Sequence, residues 1–241
     1  MSDYCNRVTN EAYYKSLMTT ANCDFLNELN FKYSNENEFN SDISGIHDSV
    51  DISVFHLNIH SLNKNSHALF NFLNTLNLKF DVIVLSEIWN YNLELYRNLL
   101  PDYIFYWDCC SSSNIGGIGV YVRNNYTCNV LDNFKVQSTI KNTLENIWLE
   151  LDNGICKYIV GALYRHPNQN IDDFNEVLEV RLSEISKSRV PCLVVGDINI
   201  DLCKYSLHSP TTQYVDNLLV NNFRPVAVLR WSRGCNCTPS F

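Results

Sequence analysis

Two apolar runs in this chain end on a carboxylate, a placement that leaves the acid free to do chemistry. Cys192 to Val195, preceded by Pro191 and closed by Gly196, is too short for a helix and reads as a buried strand. Gly196 permits a tight turn, so Asp197 and, two residues on, Asn199 project from the strand's end. A carboxylate beside an amide suits activation of water or a hard metal ion. Phe80-Asp81-Val82-Ile83-Val84-Leu85-Ser86-Glu87 repeats the arrangement and ends at Glu87. Buried strands that deliver acids at their C-terminal ends predict an α/β sheet with a polar crevice.

The elements that must position these acids follow from patterning. Residues 1–50 are rich in Asn, Ser, Asp and Glu without a sustained period, and read as a poorly ordered leader with one short helix near residues 11–29. Residues 52–58 alternate and carry β-branched and aromatic side chains, giving a first strand that ends at Asn58. Leu69, Phe70, Leu73 and Leu76 then recur at helical steps, so a strand, a helix and the Asp81 strand make a βαβ-like start. Gly116-Gly117-Ile118-Gly119-Val120-Tyr121-Val122-Arg123 has no helix after its glycines and is read as a strand packed closely on a neighbour, with Asn124-Asn125 as a hairpin turn. Residues 147–151 and 155–164 form a hairpin across Asp152-Asn153-Gly154, and the second strand ends at Tyr164. An amphipathic helix over 172–186 feeds the Cys192 strand, and a last helix spans 211–222.

Composition bounds the partners. With 241 residues and 46% hydrophobic content the chain can bury a sizeable core. No apolar run approaches the ~18 residues of a membrane span and no signal-type core opens the chain, so the expected setting is intracellular, nuclear or cytoplasmic. A net charge of −8 argues against a broad basic face for nucleic acid; contact with DNA would be local. The ten cysteines lie scattered, Cys156 and Cys192 inside apolar runs, as reduced core residues do, and none has zinc-site spacing.

Taken together, Leu57-Asn58-Ile59-His60-Ser61-Leu62, Leu85-Ser86-Glu87-Ile88-Trp89, Gly116 to Tyr121, Tyr164-Arg165-His166-Pro167 and Gly196-Asp197-Ile198-Asn199 resemble the ordered motifs of the endonuclease/exonuclease/phosphatase superfamily. Within it they are most similar to the apurinic/apyrimidinic-type endonuclease domain of non-LTR retrotransposons. The resemblance covers residues 52–226. It implies two mixed β-sheets packed face to face and flanked by helices, a four-layer sandwich. It also implies a Mg²⁺-dependent phosphodiesterase, with Mn²⁺ as an alternative ion, that acts as a monomer and nicks DNA to prime reverse transcription. Glu87 and Asn58 would then hold the metal. Asp197 would orient and deprotonate the attacking water, Asn199 would hold Asp197 and donate to a phosphate oxygen, and Tyr164 would stabilise the pentacovalent state.

The chain departs from that pattern at its end. The family's late Asp and its Ser-Asp-His segment have no counterpart in residues 227–241, which read as an unrelated tail and leave residues 51–226 as an incomplete domain lacking its last strands, with no polymerase domain after it. His60, His166 and His208 are the candidates to stand in, and none follows an Asp as the family's histidine does. Cleavage is therefore expected to be weak or absent, and the rival expectation is a catalytically dead retroelement remnant with at most a binding role. Action on a phosphoinositide or sphingolipid is disfavoured, because no lipid-binding apolar stretch or basic head-group pocket is read.

Overall fold

The structure, a computed structural model, describes residues 35–43, 52–89, 92–109, 114–135 and 144–224. Its elements run α1 (Glu36–Ile43), β1 (Val54–Asn58), α2 (Leu62–Thr75), β2 (Val82–Ser86), β3 (Tyr103–Asp108), β4 (Ile118–Arg123), β5 (Thr127–Val130), β6 (Leu144–Asp152), β7 (Lys157–Arg165), α3 (Ile171–Ser186), β8 (Cys192–Asp197) and α4 (Ser209–Val220). Two four-stranded sheets result, ordered β1-β2-β4-β3 and β5-β6-β7-β8. Each is mixed: β1/β2 and β7/β8 are parallel, and the other pairs are antiparallel.

Three apolar clusters hold four layers together, as the sandwich reading expected. Val82, Val84, Val120, Leu149 and Val160 fill the space between the sheets. On the outer face of the first sheet, Ile83, Leu85 and Tyr121 meet Leu62 and Leu69 of α2. On the outer face of the second, Trp148, Ile159 and Leu163 meet Phe174, Leu178 and Leu182 of α3 and Val215 of α4. Burial on both faces explains why β2 reads as an unbroken apolar run, whereas the apolar residues of β8, at the end of its sheet among the described strands, are half-buried. Each fully buried large side chain contributes about 1.5–3 kcal/mol.

Local signals agree with these elements. Ser61 caps α2 by accepting from Lys64 N, and Asn170 caps α3 by accepting from Asp172 N. Asp172 and Asp173 lie in the first turn of α3, where negative charge complements the helix dipole.

Four expectations change. Asn124-Asn125 is not a hairpin turn: β4 belongs to one sheet and β5 to the other, and Tyr126, buried between the sheets, draws the chain across. The β6–β7 turn is longer than expected, because Asn153 Oδ1 accepts from both Ile155 N and Cys156 N before β7 begins at Lys157. Cys156 is therefore exposed in a turn and not a core residue, whereas burial pushes the Cys192 thiol up to about 12. Finally, the expected leader includes α1, whose Phe39 packs against Phe80 and whose Asn40 bonds with Thr75 O and Asn77 N. The helix expected near residues 11–29 and the tail 227–241, with the question of last strands, lie outside the described residues.

Candidate active site

The two parallel strand pairs deliver the site. In the first sheet the register sets Asn58 beside Ser86, so the loops after β1 and β2 leave from one edge. In the second it sets Tyr164 beside Asp197. Hydrogen bonds join the sheets at this rim: Asn58 Nδ2 donates to Asp197 Oδ2 at 2.9 Å, and the same nitrogen donates to Glu87 Oε1 at 2.9 Å. Tyr164 Oη donates to that Glu87 oxygen at 3.4 Å. Asn58, Glu87, Tyr164 and Asp197, which lie far apart along the chain, thus converge on one spot.

The loops that carry them are held in costly backbone conformations. His60, Ser61, Glu87, Trp89 and Asn199 all have positive φ, at roughly 1–2 kcal/mol for a non-glycine residue. Backbone bonds zip the two loops of the first sheet together and compensate: Ile59 N to Ser86 O, Ser61 N to Glu87 O, and Leu62 N to Ile88 O. Outliers gathered at one rim are what a functional site shows.

The second sheet's half is braced from below by Arg165. Its side chain is 1% exposed, and it donates to Ile198 O and Gln169 O at 2.6 Å and to Asn199 O. Burial lowers its basicity while the nearby Asp197 raises it. Asn199 is engaged twice: its backbone N donates to Asp197 Oδ1 at 3.2 Å, and its side-chain Nδ2 donates to Arg165 O at 2.7 Å. Asn199 therefore holds Asp197 through its main chain, and one of its two amide hydrogens is given to the Arg165 carbonyl. Gly196 makes this turn feasible, since a Cβ there would come within 1.8 Å of Leu163 O.

Of the three histidines weighed as substitutes, two lie near the rim. His60 Nδ1 is 2.9 Å from Glu87 Oε2, and its ring stands edge-on to Trp89. His166 faces Tyr164 and Glu145. His208 bonds with Thr211 at the start of α4. Burial pushes the Tyr164 hydroxyl pKa far up, and the charges of Glu87, Asp197 and Glu145 push it further. Arg165 and Glu145 were not singled out from sequence. An arginine in an otherwise apolar strand is a signal that could have marked the first.

The donor set fits a hard divalent cation. Two carboxylates share one neutral amide, so a positive charge is favoured where they meet, and oxygen donors suit Mg²⁺. Among the described residues no group of three or more His, Cys, Asp or Glu is placed to hold a metal ion. Asn58 Oδ1 accepts from His60 N at 3.2 Å, so presenting that oxygen to a cation requires turning the amide over. Among the described residues no helix is long and apolar enough to cross a membrane.

No curated protein matches the chain. Among solved structures, an AP endonuclease from Archaeoglobus fulgidus superposes with a TM-score of 0.52 at 15% identity over 70% of each chain. The endonuclease domain of TRAS1, a telomere-specific non-LTR retrotransposon, gives 0.50 at 10% identity over 70% of this chain and 72% of its own. Truncated Caenorhabditis elegans TDP2 gives 0.47 at 17% identity, with 62% of each chain covered. At these identities the likeness is one of fold. The family model for the endonuclease/exonuclease/phosphatase family matches residues 55–240, running into the stretch expected to be an unrelated tail. With most of its length matched by that model, the chain belongs to the endonuclease/exonuclease/phosphatase family.

Proposed function

We propose that this chain is a divalent-metal-dependent phosphodiesterase that nicks DNA, of the kind non-LTR retrotransposons use to prime reverse transcription. Members of the family are hydrolases of phosphodiesters or phosphate esters. The observation that carries the reading is the convergence of Glu87, Asp197 and Tyr164 around the Asn58 amide, which joins the two sheets. The ordered motifs and the fold shared with a retrotransposon endonuclease domain support the finer assignment.

The residues divide the work. Asp197, 6% exposed and fixed by Asn199 N, accepts a proton from the attacking water. Tyr164, whose surroundings keep it protonated, donates its hydroxyl hydrogen to a phosphate oxygen as charge builds there. Asn199 acts through its backbone. Glu87, with Asn58, would hold Mg²⁺, which when bound neutralises developing charge on the phosphate and the leaving oxygen. The net charge of −8 confines DNA contact to this rim.

Supercoiled plasmid incubated with Mg²⁺ should be converted to open circles, and both EDTA and Asp197→Ala should stop it. A second reading is an inactive remnant that only binds, because residues 217–241 hold neither Asp nor His, the residue types that the family's late acid-base elements would use. Nicking that survives Asp197→Ala sinks the mechanism. Plasmid bound by a well-folded chain but never cut selects the remnant.

A further inference from the structure

Glu145 stands near the start of β6, where the ladder sets it opposite Tyr164. It is 3% exposed. One oxygen lies 2.9 Å from His166 Nε2, and the other is buried without a hydrogen-bond partner among the described residues. A carboxylate so enclosed costs stability, and an apolar residue would fill the space without that cost. Something other than packing explains its presence.

The surroundings indicate what. A carboxylate oxygen accepts, so the hydrogen sits on His166 Nε2 and the ring is fixed in one orientation. Gly116, with φ +97, closes over the pair: a Cβ there would come within 2.5 Å of His166 Cε1 and 3.1 Å of Glu145 Oε1. The imidazole stands edge-on to the Tyr164 ring, centroids 4.8 Å apart at 70°. That ring carries the hydroxyl 3.4 Å from Glu87.

We propose that Glu145 and His166 are positioning residues for the Tyr164 hydroxyl: the carboxylate locks the imidazole, and the imidazole edge sets the tyrosine ring so that its oxygen faces Glu87. The assignment rests on the reading of Tyr164 as a member of the hydrolytic site.

A double-mutant cycle on the full chain tests it. In plasmid nicking, Glu145→Leu and His166→Leu each lower kcat about tenfold or more with KM unchanged, because a small displacement of a positioned group is costly. Glu145→Gln, whose amide oxygen still accepts from Nε2, recovers most of the rate. In a Tyr164→Phe background Glu145→Leu causes no further loss. A second readout needs no turnover: with tyrosine labelled by ¹³C at Cζ, the resonance absent from Tyr164→Phe identifies Tyr164. Glu145→Leu and His166→Leu should move that resonance most, and Glu145→Gln should leave it in place. Additive losses in the cycle, or a Tyr164 resonance that stays still in both leucine variants, overturn the proposal. A wild-type chain that never nicks defeats the hydrolase reading instead, and the spectra then decide this one.

Discussion

Asp81 and Glu87 flank the same strand, β2, with nearly equal side-chain exposure, 17% and 19%. Their surroundings are opposite in kind. Asp81 Oδ2 accepts from Ser53 N at 2.8 Å and Ser53 Oγ at 2.7 Å, and Arg123 stands 3.7 Å from its other oxygen. Glu87 sits at φ 55, meets an amide, a phenol and an imidazole, and shares the amide with a second carboxylate. The protein supplies Asp81 with donors and a fixed cation, which makes it a staple between β1 and β2. It leaves Glu87 beside Asp197 with a neutral amide between them, an arrangement that a positive charge would stabilise. Exposure alone does not separate the two acids; their partners do.

The largest effect expected on the site side is from Asp197→Asn. The change keeps shape and removes the proton acceptor, so the nicking rate should fall by about 10³ or more while thermal unfolding barely moves. A fall of less than tenfold would place Asp197 with Asp81 among structural acids. Next is Arg165→Met, which leaves the carbonyls of Ile198, Gln169 and Asn199 without their buried donor. It should cost about 3 kcal/mol in urea unfolding and take activity with it. An unchanged urea midpoint would show that the Asp197 loop does not depend on this brace.

What the sequence disclosed, and what it hid, follows the same division. The strand-end acids were legible because a carboxylate closing an apolar run is a local pattern, whereas the four-layer order came from the family resemblance, since alternating strands and amphipathic helices indicate only an α/β class. Local pattern also read Asn124-Asn125 as a hairpin, but sheet membership is decided by which core receives Tyr126, a long-range fact. Glu145 and Arg165 escaped notice because burial of a charge depends on what covers it: Gly116 over one, the Ile198–Asn199 backbone over the other. The same limit applied to Asn199, whose type was legible but whose amide bond to Arg165 O was not.

Glu87→Gln sharpens the contrast. It removes one of two neighbouring carboxylates, so stability should hold or rise, within about 0.5 kcal/mol. Activity should fall about 10²-fold, and Mn²⁺ binding followed by paramagnetic resonance should weaken in parallel. Loss of stability without weaker metal binding would mean that Glu87 is held for the fold.

Asp81→Asn is the converse and the smallest. An amide can still accept from Ser53 N or Oγ, but the bonds lose their charge assistance and Arg123 loses its partner. The expected cost is about 1–2 kcal/mol, read from the urea midpoint, with the nicking rate per folded molecule unchanged. The staple ties the starts of β1 and β2, whereas Asn58 and Glu87 leave from their opposite ends and are held there by the Ser86, Glu87 and Ile88 carbonyl bonds, which the substitution does not touch. If Asp81→Asn instead lowered the rate of fully folded protein as much as Glu87→Gln does, the two ends of β2 would be mechanically coupled, and partners alone would no longer tell a structural acid from a functional one.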